Sequence, residues 1–452
     1  MKRLLIICLL ITTAFGCKEE PKINYTTLSG EIKNPMDKTV IIYHGRDKVK
    51  EIPLKEDGTF SDTLKVERGY YSFIHDRENS SIYLEPGYDL KISLNAKEFD
   101  ETLNYDGNGS ENNNYLAKKY LANENLNFDF AEVYSKEEGE FLALMNEVKS
   151  SKTELLSSAK NITEEFRALE QKNTEYDYLA NLQNYGPAHS YYAKKQDFKP
   201  SEDFLKTLED IDLKNKDDYE SIESYKRIVQ NHYTSKISNS TNPSEVFKEI
   251  NKNAFPQLKE DLAKSLKYYI APNNEYNKAY YEGIIAMTSN DEDFRDELTF
   301  KYHKVRKLAK GMPSPQFNEY ENHKGGATSL SDLKGKYVYI DVWATWCGPC
   351  IAEIPALKEV EKQFHGKNIA FVSTSIDKAN DHNTWVEMVK AKELGGMQLM
   401  ADNDWNSKFV KDYAIEGIPR FILIDPSGNI VSADAPRPSD PKLLNMLNEL
   451  KI

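Results

Sequence analysis

The chain reads as three folded regions behind a short apolar leader: a small all-β domain over 25–105, a mostly helical domain over 111–310 and an α/β domain over 311–452. Three observations carry this reading. The first region holds short runs of β-branched and aromatic residues separated by turn signals. In the second, glycine is reduced to Gly139, Gly186 and Gly283, while Glu and Lys recur at helical spacing. The third alternates strand-like and helix-like runs to its end.

The leader opens on Met1-Lys2-Arg3, and an apolar run follows from Leu4 to Phe15. That run is too short to span a bilayer and fits a secretory signal. It ends Ala14-Phe15-Gly16-Cys17, which resembles a bacterial lipobox, with Cys17 as the lipid acceptor and 1–17 as the signal. A multiply acylated cysteine anchors firmly. A plain signal peptide cleaved nearby is the other reading. Lys18-Glu19-Glu20 resembles the acidic tag of some surface-exposed lipoproteins. The expected location is therefore a bacterial cell envelope, lipid-anchored, on the periplasm-facing side of the outer membrane or at the surface. No later segment is apolar enough to cross a membrane.

In the β region, Thr39 to Tyr43, Tyr70 to Phe73 and Ser81 to Leu84 read as strands, with turns at Glu56-Asp57-Gly58 and Glu85-Pro86-Gly87. They predict an antiparallel sandwich or small barrel. Asp106 to Ser110 reads as a linker. In the helical region, Glu137 to Lys160 and Val246 to Ile270 show helical spacing, with breaks at Gly186-Pro187, Pro200, Pro243 and Pro272. Its many tyrosines fit a packed core. In the last region, strands are expected at Tyr337 to Trp343, Ile369 to Thr374, Arg420 to Ile424 and Ile430 to Ala433. Helices are expected at Cys347 to about Gln363, Asn383 to Lys392, Trp405 to Tyr413 and Pro441 to Leu450.

The chain has four Cys, and Cys8 and Cys17 belong to the leader. One pair remains, Cys347 and Cys350, in Trp346-Cys347-Gly348-Pro349-Cys350, just past a strand. A single C-x-x-C pair points to redox chemistry rather than stapling. Cys347 at a helix start meets free N–H groups and the positive dipole end, which favour a thiolate. Gly348 permits the tight entry, and Pro349 fits the first turn, where a missing N–H costs nothing. Cys350 is one turn on, placed to resolve a mixed disulfide formed by Cys347.

The run Asp341 to Cys350, with Glu353-Ile354-Pro355, resembles the active site of TlpA-like thiol–disulfide oxidoreductases of the thioredoxin superfamily. Gly311 to Phe317, Leu330 to Lys336 and Gly417-Ile418-Pro419 match as well. The resemblance covers the chain from residue 311 and implies a thioredoxin fold there. The preceding residues resemble, more loosely, the extensions of such lipoproteins in Bacteroidetes. It implies that Asp341, six residues before Cys347, helps move protons at Cys350. It implies that Pro419 follows a cis peptide, leaving the Ile418 backbone free to pair with a substrate strand. Glu353 is either a tuning group or a solvated helix residue. Arg420 either favours acidic partners and the thiolate or is a solvated strand-edge residue. The implied partners are protein disulfides and a membrane electron donor of the DsbD/CcdA type. Gly348-Pro349 resembles reducing members of the fold, some of which act in cytochrome c maturation.

The net charge of −13 argues against nucleic acid as a partner. Zinc needs two more ligands, and no histidines form a spaced pair; His365 and His382 come nearest to one. Ile351 stands where haem attachment needs His. Neither a metal nor another cofactor is expected. Two alternatives stay open. A thioredoxin-fold peroxidase of the AhpC/TSA kind is one, although Ala344 stands where it needs Thr or Ser and Ile340 where it needs Pro. A binding or scaffold lipoprotein with a secondary redox domain is the other.

Overall fold

The computed structural model describes residues 23–126, 128–195, 198–288, 291–450 and 452. The leader, Cys8, the lipobox and Cys17 lie outside them. The chain divides into two compact units, one ending at Val229 and the other beginning at Gln230. The helical stretch is thus shared between the two.

In the first unit, eight strands come first: β1 (Tyr25–Lys33), β2 (Thr39–His44), β3 (Asp47–Pro53), β4 (Thr59–Lys65), β5 (Gly69–His75), β6 (Glu78–Leu84), β7 (Asp89–Asn95) and β8 (Asn104–Asn108). They form two four-stranded sheets, β4-β1-β7-β8 and β3-β2-β5-β6. Alternate residues of β1 turn inward, with Leu28 and Ile32 meeting Val40, Ile42, Phe73 and Ile82 of the second sheet in one core. The arrangement is a sandwich, and β1 with β7 forms a parallel pair in it.

The expected linker is a strand. Asn104–Asn108 pairs antiparallel with β7. Gly107 (φ 88°) passes the Asp89 carbonyl, and Gly109 (φ 96°) passes the Tyr88 ring, where any Cβ would collide. Those glycines serve close approach, not flexibility.

The helices differ from expectation at two prolines. The helix Glu164–Tyr192 runs through Gly186-Pro187 without ending. Leu182, Tyr185 and His189 on its buried face pack among Val133, Tyr134, Phe141 and Phe204, and that burial outweighs the hydrogen bond Pro187 removes. The run Val246 to Ile270 is instead broken into Pro243–Asn253 and Pro256–Leu266, with Pro256 opening the second.

The second unit ends in a seven-stranded sheet. Its strands are β9 (Tyr320–Asn322), β10 (Ala327–Thr328), β11 (Tyr337–Trp343), β12 (Ile369–Ser375), β13 (Met397–Met400), β14 (Arg420–Ile424) and β15 (Ile430–Ser432), in the order β10-β9-β13-β12-β11-β14-β15. The central strands β11, β12 and β13 are parallel, and β14 runs antiparallel to β11. Helices Gly348–Gln363, His382–Ala391, Lys408–Asp412 and Pro441–Glu449 accompany it. This is the expected thioredoxin-like α/β domain. The expected helix Trp405 to Tyr413 is split into a 3₁₀ turn, Asp404–Asn406, and the short helix from Lys408.

Strand β11 is buried on both faces, as a central parallel strand must be. Val338, Ile340 and Val342 join Trp385, Phe409 and Ile422 on one face. Tyr339 joins Leu357, Phe421 and Leu443 on the other. Asp341 is two residues from Tyr339 and so lies on that second face, a buried carboxyl on a central strand.

Candidate active site

Strand β11 hands over to the Gly348–Gln363 helix through Ala344 to Cys347. Cys347 is the N-cap, with extended backbone, and its Sγ accepts the Cys350 N–H at 3.2 Å. Cys347 and Cys350 are joined in a disulfide, with Cα atoms 5.3 Å apart. Both are buried, whereas Gly348 and Pro349 are exposed and Trp346 is 57% exposed. The Trp346 ring leans toward Trp405, with centroids 6.5 Å apart. An apolar wall thus stands beside the disulfide.

The loop before Cys347 is pinned by a residue that sequence reasoning missed. Asp377, just past β12, is buried and accepts from the Thr345 N–H at 3.0 Å, the Thr345 hydroxyl at 2.8 Å and the Ser375 hydroxyl at 2.6 Å. These bonds hold the turn two residues ahead of the attacking sulfur. Ser375-Ile376-Asp377 carries no signal of its own in one sequence, because the pairing spans two parallel strands.

Pro419 follows a cis peptide from Ile418. Ile418 packs against the cluster that contains both cysteines. Among the described residues its N–H and carbonyl have no hydrogen-bond partner. Glu353 and Arg420 both have partners within the chain. Glu353 is not solvated: it is buried and accepts from the Ser439 N–H at 2.9 Å and the Ser439 hydroxyl at 2.8 Å. Arg420 is half-buried rather than solvated, and it forms an ion pair with Asp434 at 2.8 Å.

Asp341 is buried, and its Oδ1 has no hydrogen-bond partner among the described residues. Burial first, then the negative charges of Glu353 and Glu361, pushes its carboxyl up to about 8. Such a group takes and releases a proton near neutral pH, the property required of an acid–base partner. Among the described residues no cluster of His, Cys, Asp and Glu is arranged to hold a metal.

The Redoxin family model matches residues 309–447. That stretch is a TlpA-like domain of the thioredoxin superfamily. It is a thiol–disulfide oxidoreductase. The thiol–disulfide oxidoreductase ResA of Bacillus subtilis is 24% identical over 144 residues, 32% of this chain and 77% of that protein. ResA of Oceanobacillus iheyensis is 28% identical over 150 residues, 32% of this chain and 70% of that protein. Among solved structures, a thiol-disulfide oxidoreductase from Bacteroides fragilis is 30% identical, covering 30% of this chain and 98% of its own, with a TM-score of 0.28. Each of the three likenesses covers about a third of this chain. As an oxidoreductase of this kind it acts on protein disulfides.

The raised Asp341 sets a pH dependence of stability. Between the ordinary aspartate value and about 8, the folded chain holds a proton that the unfolded chain has released. Stability is therefore lost as pH rises through that window, and below it both states are protonated and the effect vanishes. Asp341→Asn is expected to raise the unfolding free energy by a few kcal/mol at about pH 8.5 and by little at about pH 4. Urea unfolding at both pH values checks this; an equal effect at both would contradict it.

Proposed function

We propose that this chain is a reductase of protein disulfides, held at a bacterial envelope membrane, with Cys347 and Cys350 as its working couple. The observation that carries the reading is the disulfide at a helix start on the strand that bears a buried acid. In the reduced protein, Cys347 at the helix N-terminus attacks a substrate disulfide. Its sulfur bonds to one substrate sulfur, and the other leaves as a thiolate. Cys350, deprotonated toward Asp341, then attacks the Cys347 sulfur and releases the second substrate thiol. Ile418, with its backbone unpaired, aligns the substrate chain as an added strand beside the disulfide. Trp346 supplies apolar contact, and Gly348 and Pro349 keep the approach to Cys347 open.

The acids along this helix support the reducing direction. Glu353 stands one turn beyond Cys350, and Glu353 and Glu361 both bear on the buried Asp341. Negative groups oppose a thiolate, whereas strong oxidants of this fold stabilise one. A reductase outside the cytoplasm needs a continuing electron supply, which a membrane donor of the DsbD/CcdA type provides. Cytochrome c maturation is one process with such clients. Lipidation at Cys17 would hold the protein beside that donor.

With prereduced protein, insulin disulfides should be reduced with turnover under added dithiol, and Asp341→Ala should slow this by about 10-fold or more. Cys350→Ser should accumulate mixed disulfides with partners. Trapping by Cys347→Ser alone would reverse the roles, and no insulin reduction by the wild-type protein would sink the reductase reading.

For the anchor, growth with a labelled fatty acid should label the wild-type chain and leave Cys17→Ala unlabelled and released from membranes. An unlabelled wild-type chain that fractionates like the variant would contradict it.

A further inference from the structure

The proton that Asp341 takes must leave a buried position. Asp341 lines a small cleft with Glu361, Lys358, Ser373, Gly395 and Gln398, and the cleft has room for about one water. Two buried acceptors in it, Asp341 Oδ1 and Gln398 Oε1, have no hydrogen-bond partner among the described residues. Two unsatisfied acceptors beside a water-sized space are what a bridging water needs.

Glu361 is built into this cleft. Its carboxylate lies against Gly395 and Gly396, where a Cβ on either residue would collide with it. Lys358 on its own helix and Lys324 in the β9–β10 turn are its charged neighbours. Burial raises the Glu361 carboxyl, and the two lysines pull it back. Asp341 is faced by Glu353 and Glu361 from the helix and by Tyr339 on its own strand.

We propose that Glu361 is the relay through which the proton on Asp341 reaches solvent, by way of the cleft. The inference rests on the reading of Asp341 as the acceptor for Cys350. The step balances. The electron pair of the Cys350 sulfur forms the bond to Cys347 Sγ. The bond from Cys347 to the substrate breaks, and its pair leaves on the substrate sulfur, which takes a proton from solvent. The Cys350 proton moves to Asp341, across the cleft to Glu361 and out. Glu361 touches none of the reacting atoms and acts only through Asp341.

The test uses the full chain, prereduced, with insulin as substrate, from about pH 6 to 9 and at rising imidazole concentration. Glu361→Gln should slow reduction by about fivefold to tenfold in dilute buffer, and imidazole, an external proton carrier, should restore it. Its pH profile should move to lower pH, since a like charge beside Asp341 is gone. The wild-type rate should not depend on imidazole. A wild-type rate for Glu361→Gln with a slow Asp341→Asn would overturn the relay alone. Wild-type rates for both would overturn the reading of Asp341 and the relay with it. Slowing that imidazole does not restore would show a structural role and overturn the proposal. If Glu361→Gln does not fold, Gln398→Leu, which removes the second orphaned acceptor, should give the same imidazole-dependent slowing; a wild-type rate there would overturn it.

Discussion

The redox end of this protein depends on one constraint: β11 is buried on both faces yet carries a carboxyl. An apolar residue at 341 would pack more cheaply against Tyr339, Leu357 and the overlying helix. The carboxyl instead sits unsatisfied at Oδ1, with Glu353 and Glu361 adding negative charge, and its proton is held to about 8. Burial without a partner destabilises a fold in most settings. Here it yields a group that changes charge at the pH where thiols exchange. The surrounding parts hold the pair above it in place. Asp377 fixes the turn before Cys347, and Glu353 ties the first part of the helix to Ser439 ahead of the last one.

The same electrostatics bears on electron flow. A helix N-terminus favours the Cys347 thiolate, and a carboxylate one turn beyond Cys350, Glu353, opposes charge at the pair. The balance decides how readily the dithiol gives up its electrons.

Much of this was legible in the sequence, and what was not has physical reasons. The C-x-x-C spacing placed Cys347 at a helix start, and the resemblance pointed to Asp341 and to the peptide before Pro419. Short-range signals did worse where tertiary packing decides. Pro187 reads as a break, yet the aromatic face of its helix carries the chain through. Asp106 to Ser110 reads as a linker because glycines normally mark one, but Gly107 and Gly109 make room for a neighbouring backbone and ring. Strands β9, β10 and β13 escaped notice, being two to four residues long. Asp377, Glu361 and the Ser439 partner of Glu353 were invisible because each acts across elements distant in sequence.

The proposed reductase needs a couple that gives up its electrons readily. The reduction potential of Cys347–Cys350 in the full chain, equilibrated against glutathione or dithiothreitol, measures it most directly. A reductase should show a value close to that of thioredoxin, about −270 mV. A value near that of a disulfide-forming catalyst, about −120 mV, would contradict it.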